Sequence, residues 1–136
     1  MRFEDTAAYL LAKATTVHKN ALEKYVNSVG LHSGQVFVLM ELWKLDGQRQ
    51  IDLAAKLNLS PPTVNKILGG LLENDFATRA RYEDDARSTR IFLTQKGRDV
   101  RSALEHAWEG FEEQTLSGLT DTEALMLKQL LQKIFG

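Results

Sequence analysis

The hydrophobic spacing of the chain changes from helical to alternating within residues 50–93, and this change limits the possible folds more than any other feature. Two short stretches first repeat their apolar residues every three or four positions, which is typical of helices with one buried side. Two stretches of alternating residues follow, as in paired β-strands. The predicted elements are helices over residues 50–57 and 61–74 and strands on either side of the polar turn 83–88.

The turn between the two predicted helices carries its own signals. Asn58 tolerates the left-handed backbone better than most residues. Ser60 is a candidate N-cap, and Pro61 and Pro62 suit a first helical turn, where a missing N–H costs little. The residues predicted to face the core are Ile51, Leu53, Ala54 and Leu57 in the first helix and Val64, Ile67, Leu68 and Leu71 in the second.

Longer helices are predicted on both sides of this region. The first runs from Asp5 to about Val26 and has a wide apolar face, which either its own core or a second chain would bury. Another helix follows with Ser33 as its predicted cap. Thr94 is the predicted cap of a long helix, and the sequence from Thr120 to Glu123 fits a capping box before a strongly apolar last helix. We expect that last helix at an interface.

The composition of the chain excludes several classes of function. The 136 residues correspond to one domain and include no cysteine, which excludes disulfides, thiolate metal sites and thiol chemistry. No apolar run long enough to span a membrane occurs, and the acidic start does not resemble a signal peptide, so the expected location is the cytoplasm. The net charge of −1 alone argues against nucleic acid, but residues 47–98 carry nine basic and six acidic side chains, a net +3.

Two short helices and a hairpin in this order predict a winged helix-turn-helix. Its second helix would enter the major groove of DNA, and the free N–H groups at its start would bind phosphate. Arg87 and Arg90 on the hairpin would enter the narrower minor groove. The predicted DNA-binding residues of the second helix are Ser60, Pro62, Thr63, Asn65 and Lys66, and Arg79 and Arg81 join them from the first strand.

The sequence resembles the MarR-type transcriptional regulators along nearly its whole length. Leu53–Ser60 resembles the scaffold helix and turn of that family, and Thr63–Leu68 resembles its recognition helix. Asp85–Thr94 resembles its wing, including the acid–arginine pair Asp85 and Arg87. Leu93–Gly97 matches the exit from the wing, and the segment from Thr120 to Phe135 is similar to the closing helix.

The resemblance implies a mainly α-helical fold with a small β-hairpin wing, in one continuous structural unit. Residues 1–30 and 98–136 would form a helical dimerisation region, and residues 31–97 the winged helix-turn-helix DNA-binding region. The homodimer would bind a pseudo-palindromic operator in double-stranded DNA, with half-sites roughly 34 Å apart. Arg87 would reach the minor groove, and Asp85 would hold the wing arginines by charge-assisted hydrogen bonds.

The resemblance also implies a repressor that a small aromatic or phenolic effector releases from DNA. Such an effector would bind between the dimerisation and DNA-binding regions, where His18, Phe37, Met40 and Trp43 are the candidate lining residues. Ordinary burial in the core is the alternative explanation for the last three.

Two other functions remain open at this stage. A winged-helix module for protein interaction, without DNA affinity, would suit the net charge and the single base, Lys66, on the second helix. A metal-responsive regulator is disfavoured, because His18, His32 and His106 lack the spacing of a zinc site. An enzyme is not expected: Gly69-Gly70 lacks the residues of a phosphate-binding loop, and Asp84-Asp85 falls on a predicted exposed turn. No cofactor or metal is predicted.

Overall fold

The computed structural model describes residues 1–81 and 89–136, most of which are helical. The elements are a 3₁₀ turn at Phe3–Asp5, α1 at Ala7–Asn27, α2 at Ser33–Lys44, β1 at Gln48–Arg49, α3 at Gln50–Lys56, α4 at Pro61–Glu73, β2 at Ala77–Arg81, β3 at Thr89–Leu93, α5 at Gln95–Thr115 and α6 at Asp121–Phe135. The predicted fold class, mainly α with a small β wing, is confirmed.

Helix α1 begins two residues later than predicted. Its N-cap is Thr6, whose hydroxyl accepts a hydrogen bond from the Tyr9 amide at 3.2 Å. Asp5 belongs instead to the preceding 3₁₀ turn. The chain leaves α1 at Gly30, whose φ of +81° is a conformation that glycine adopts without steric cost.

The predicted cap of α2 is wrong. Ser33 is the first residue of the helix, and its amide donates to Glu23 Oε1 of α1 at 3.0 Å. His32 is the N-cap residue, and its own amide donates to Gln35 Oε1 at 3.0 Å. The start of α2 is therefore satisfied partly by a neighbouring helix, which no local motif reveals.

Helices α3 and α4 form the predicted helix-turn-helix, with Asn58 at a φ of +54° in the turn. Leu53, Leu68 and Leu71 are fully buried, as predicted. The prediction for Ile51 is wrong, because 46% of this residue is exposed. It lies in the first turn of α3, at the mouth of a cleft that faces the sheet.

The wing contains one strand more than the predicted hairpin. Strand β3 lies between β1 and β2, and both pairings are antiparallel. The root of the wing is also tied to the turn after α2: Asp46 Oδ1 accepts from the Leu93 amide at 2.8 Å, and Arg90 Nη1 donates to the Gly47 carbonyl at 3.0 Å. The wing is thus fixed to the body at its base.

The core lies where α1, α2, α4 and α5 meet the sheet. Trp43 of α2 donates its indole N–H to the Gly97 carbonyl at 2.9 Å, which joins α2 to the first turn of α5. Thr94 caps α5 as predicted. The largest fully buried side chains are Leu31, Leu39, Leu42, Leu53, Leu68, Leu71, Ile91, Leu104, Val26, Val36, Val38 and Val64.

Helix α6 has the predicted capping box but no buried residue in the isolated chain. Thr120 Oγ1 accepts from the Glu123 amide at 3.2 Å, and Glu123 Oε1 accepts from the Thr120 amide at 3.0 Å. Leu130 is 50% exposed and Ile134 57%. An apolar helix left in water is unfavourable, so a further surface is needed to cover it.

Candidate nucleic-acid interface

The first turn of α4 has no spare N–H group. Pro61 and Pro62 have no amide hydrogen, the Thr63 amide donates to Ser60 Oγ at 3.3 Å, and the Val64 amide donates to the Ser60 carbonyl at 3.0 Å. Ser60 is therefore the N-cap that the sequence predicts. The expectation that free N–H groups at this helix start would bind phosphate is wrong for residues 61–64, because the prolines and the cap leave no free N–H group among them.

The exposed side of α4 is polar. Pro62, Thr63, Asn65 and Lys66 are all exposed, as their spacing predicts. The hydroxyls of Thr63 and Ser60 lie 2.8 Å apart and hydrogen-bond to each other. Lys66 carries the only positive charge on this helix. Most of the electrostatic attraction to a polyanion must therefore come from outside α4.

Strand β2 presents Arg79 and Arg81 towards α3 and α4. In the antiparallel register, Arg79 is opposite the buried Ile91 and Arg81 is opposite Thr89, so both arginines share the inner face of the sheet. They line a cleft of about 340 Å³ together with Ile51. Both arginines remain exposed at the cleft, so they add positive charge beside the start of α4.

Asn65 connects the helix to the wing. Its Oδ1 accepts from Arg79 Nη2 and from Gln50 Nε2, each at 3.4 Å. Gln50 is the first residue of α3, and the sequence analysis missed it because nothing in the local spacing pairs it with a residue of the next helix. The predicted site residues Asn65 and Arg79 are thus in contact, whereas Arg90 lies on the other face of the sheet, opposite Ala80.

The tip of the wing lies outside the described residues. Asp85 and Arg87, the pair that resembles the family motif, both fall within residues 82–88. The described part of the wing ends at Arg81 and resumes at Thr89, and these two residues are paired across the strands. The described residues therefore include the base of the wing but not Arg87, the arginine that is predicted to enter the minor groove.

An ion pair holds the first turn of α3. Arg49 occupies the N-cap position and donates from Nε to Asp52 Oδ2 at 2.9 Å and from Nη2 to Oδ1 at 3.2 Å. The hydrogen bond from Arg49 holds the pKa of the Asp52 carboxyl below its ordinary value. The basic side chain is therefore partly neutralised by its own helix, and it supports α3 beside Gln50.

The four candidate effector residues do not line one cleft. His18 and Phe37 line a cleft of about 660 Å³ between α1, α2 and the helix-turn-helix. Met40 and Trp43 line a separate cleft of about 340 Å³, in which Phe37 also takes part. The sequence analysis missed other residues of the larger cleft, which come from four helices and the turn between α3 and α4. These are Thr15, Lys19, Leu22, Ser33, Gly34, Lys56, Leu57, Leu59, Thr63 and Ile67.

The larger cleft combines an apolar wall with basic groups. Its wall includes Leu22 and Phe37, and Lys19 and Lys56 stand among its lining residues. Lys56 Nζ donates to Gln48 Oε1 at 2.6 Å. The His18 ring lies 4.6 Å from that of Phe111, between ring centroids. The cleft therefore offers apolar contact and positive charge within one space.

Within residues 1–81 and 89–136, no three His, Cys, Asp or Glu side chains lie close enough together to hold a metal ion. Across that same part of the chain, no helix has the length and hydropathy needed to cross a membrane.

Comparison with known proteins agrees with this arrangement. The model of the MarR family matches residues 31–89, which run from the start of α2 into the wing. The HTH-type transcriptional regulator BilQ of Clostridium symbiosum is 27% identical over 135 residues, covering 96% of this chain and 91% of BilQ. The likeness thus extends well beyond the matched region, into the flanking helices.

Solved structures give the same result. A MarR transcriptional regulator from Methanosarcina mazei is 26% identical, with a TM-score of 0.80 over 93% of this chain and 94% of that one. A MarR family protein of Mycobacterium tuberculosis, solved in complex with DNA, is 20% identical and has the same fold, with a TM-score of 0.79 over 96% and 98% of the two chains. From its motifs, its fold and these likenesses, the chain carries a MarR-family domain over residues 31–89 and is similar to MarR-family transcriptional regulators along nearly its whole length.

Proposed function

We propose that the chain is a homodimeric, sequence-specific DNA-binding regulator that acts as a repressor and is released by a small-molecule effector. The observation that carries the proposal is the contact between Asn65 and Arg79, which joins the exposed side of α4 and the base of the wing into one polar surface. The Mycobacterium tuberculosis neighbour, solved in complex with DNA, supports the same use of this fold.

In this proposal α4 enters the major groove and the wing lies against the adjacent minor groove. The contacts from α4 come from Ser60, Pro62, Thr63, Asn65 and Lys66. Those from the wing come from Arg79, Arg81, Arg87 and Arg90, with Asp85 holding the arginines in position. Since the start of α4 has no spare N–H, phosphate contacts fall to the basic side chains.

The dimer is proposed to form through residues 1–30 and 98–136. The support is the exposed apolar surface of α6, which lacks a cover in the single chain. Two helix-turn-helix regions, residues 31–97 of each copy, would then face half-sites roughly 34 Å apart. A pseudo-palindromic operator follows from the twofold symmetry.

The effector is proposed to bind in the larger cleft, with His18 and Phe37 among its contacts. Its apolar wall and nearby lysines suit a small aromatic or phenolic anion. Thr63 and Ile67 of α4 also line this cleft, so an occupant would touch the recognition helix directly. A ligand that binds the DNA-free protein more tightly than the DNA-bound protein lowers the affinity of the protein for DNA. DNA lowers the affinity of the protein for that ligand by the same factor.

The first test is binding to DNA from around the chain's own gene, across a salt series, with a sizing run beside it. We expect a dimer that prefers this fragment over random DNA and that loses affinity steeply as salt rises. A dimer with no preference at any salt would contradict autoregulation, and the next step would then be a selection from random DNA.

Arg87→Ala tests the predicted wing contact. We expect binding to weaken by about 1–3 kcal/mol, because one specific contact is lost. Lys44→Ala, at an exposed residue at the end of α2 that is not among the proposed DNA contacts, also removes one positive charge and serves as the control. Equal affinities for the two variants would remove Arg87 from the interface.

A protein-interaction module without DNA affinity is the second candidate function. The net charge of −1 and the closed start of α4 favour it. Its distinguishing result is a folded dimer that binds no fragment from a random DNA pool at low salt, where even nonspecific binding is strong.

A further inference from the structure

The amide of Asn65 has a defined orientation. A guanidinium group only donates hydrogen bonds, so the Asn65 atom that faces Arg79 Nη2 at 3.4 Å must be the oxygen. Gln50 Nε2 lies 3.4 Å from the same Oδ1, and it also donates. Because Arg79 can only donate, it identifies which end of the Asn65 amide is the oxygen, and the shape of an amide alone does not show this.

This orientation divides the hydrogen-bonding capacity of Asn65 unevenly. An amide oxygen has two lone pairs, and two donors already face them. The nitrogen Nδ2 carries two hydrogens and has no partner within residues 1–81 and 89–136. Since Asn65 is exposed on the outer side of α4, the group that it offers to a ligand is a pure donor.

We propose that Asn65, held in this orientation by Gln50 and Arg79, selects guanine in the major groove of the operator. The inference rests on the proposed function and specifies the base that one residue reads. Guanine presents two acceptors in that groove, N7 and O6, which match the two hydrogens of Nδ2. Cytosine presents only a donor there, and thymine presents a single acceptor.

Adenine is the base that the held amide discriminates against. A freely turning asparagine pairs with adenine through both of its atoms, since it accepts from N6 and donates to N7. Asn65 retains only the second of these bonds while its oxygen is occupied by Gln50 and Arg79. Gln50 and Arg79 are therefore positioning residues, which change the base preference by engaging the asparagine oxygen.

The experiment measures binding to every single-base variant of the bound DNA fragment. For the unaltered protein we expect one position in each half-site that prefers guanine over adenine by about fivefold or more. Asn65→Ala should remove the preference at that position and leave the other positions as they were. The double variant Gln50→Ala/Arg79→Met frees the oxygen, so the preference at the same position should move towards adenine.

Arg81→Met is the matched control, because Arg81 lines the same cleft and carries the same charge but does not contact Asn65. It should weaken binding to all fragments alike and keep the guanine preference. A merely structural role for Gln50 and Arg79 would give the same uniform loss in the double variant, and that result would overturn the positioning role. Melting curves of each variant establish that it is folded.

Two further outcomes overturn the inference while leaving the regulator intact: an Asn65-dependent position that prefers adenine in the unaltered protein, or no position that depends on Asn65. A protein that binds no DNA at all would refute the proposed function itself, so the two failures are distinguishable.

Discussion

Gly97 and Gly69 both lie inside helices, but an added methyl group would meet very different surroundings. At Gly97 the new carbon would lie 2.1 Å from the Phe76 carbonyl oxygen, and at Gly69 no atom lies within 4 Å. We expect Gly97→Ala to destabilise the fold by about 1–3 kcal/mol or more, because the backbones must separate. Gly69→Ala should stabilise it by about 0.5–1 kcal/mol through helix propensity.

Urea unfolding of both variants checks this pair, since each adds the same methyl group. A stable Gly97→Ala protein would show that α5 can move away from Phe76 at little cost. Only the free energy of unfolding is compared, because Gly69 lies near the proposed DNA surface and its substitution could also change DNA binding.

At the residue scale, local chemistry could be predicted where donor and acceptor are close in sequence. Ser60, Thr94 and Thr120 cap their helices as predicted, because each hydroxyl accepts from an amide three residues on. The cap of α2 could not be predicted, since Glu23 comes from another helix. Pro61 and Pro62 already indicate that the first turn of α4 lacks free N–H groups. The expectation of phosphate binding there was wrong because it applied the general rule for helix N-termini without regard to the two prolines.

The contact between α1 and the start of α2 makes stability depend on pH. Hydrogen bonds from Ser33 hold the pKa of Glu23 below its ordinary value, with a smaller contribution from His32. A carboxyl with a depressed pKa in the folded state stabilises the fold above its unfolded pKa, about 4.3. That stabilisation is lost as the pH falls through the folded value.

We therefore expect Glu23→Gln to reduce the loss of unfolding free energy between pH 7 and acidic pH. Chemical unfolding at a series of pH values measures it. Glu113→Gln, an exposed residue of α5 with no hydrogen bond to another described side chain, is the control and should follow the parent protein. If Glu23→Gln has the same pH profile as the parent, the charge of Glu23 contributes nothing to the start of α2.

At the element scale, the helices and two strands could be predicted because their apolar periods are long enough to recognise. Strand β1 could not, since it has only two residues and shows no period. Its pairing depends on β3, which follows it by about forty positions. The contact between Gln50 and Asn65 was missed for the same reason, because it exists only once α3 and α4 have packed.

At the scale of the whole molecule, the surface that matters most for assembly is the exposed apolar side of α6. Leu130 and Ile134 lie on the same side of this helix by its period, and Gln129 lies on the opposite side. We expect Leu130→Glu or Ile134→Glu to weaken the proposed dimer by roughly 2 kcal/mol or more, because a charge would be buried at an apolar contact.

Sedimentation across a concentration series measures this change, with Gln129→Glu as the control that adds the same charge on the polar side. If the Leu130→Glu and Gln129→Glu variants have the same dimer dissociation constant, α6 does not form the dimer contact. Residues 1–30 then become the stronger candidate for that contact.

The closed start of α4 has a consequence for how the protein would search a genome. A helix that presents bare N–H groups is attracted to every phosphate that it meets, whereas this one leaves that attraction to side chains. We expect the time that such a protein spends on bulk DNA to depend on its basic side chains, and therefore to shorten sharply as the salt concentration rises. Once that attraction is screened, the contacts between α4 and the base edges would decide how long the protein stays at one site.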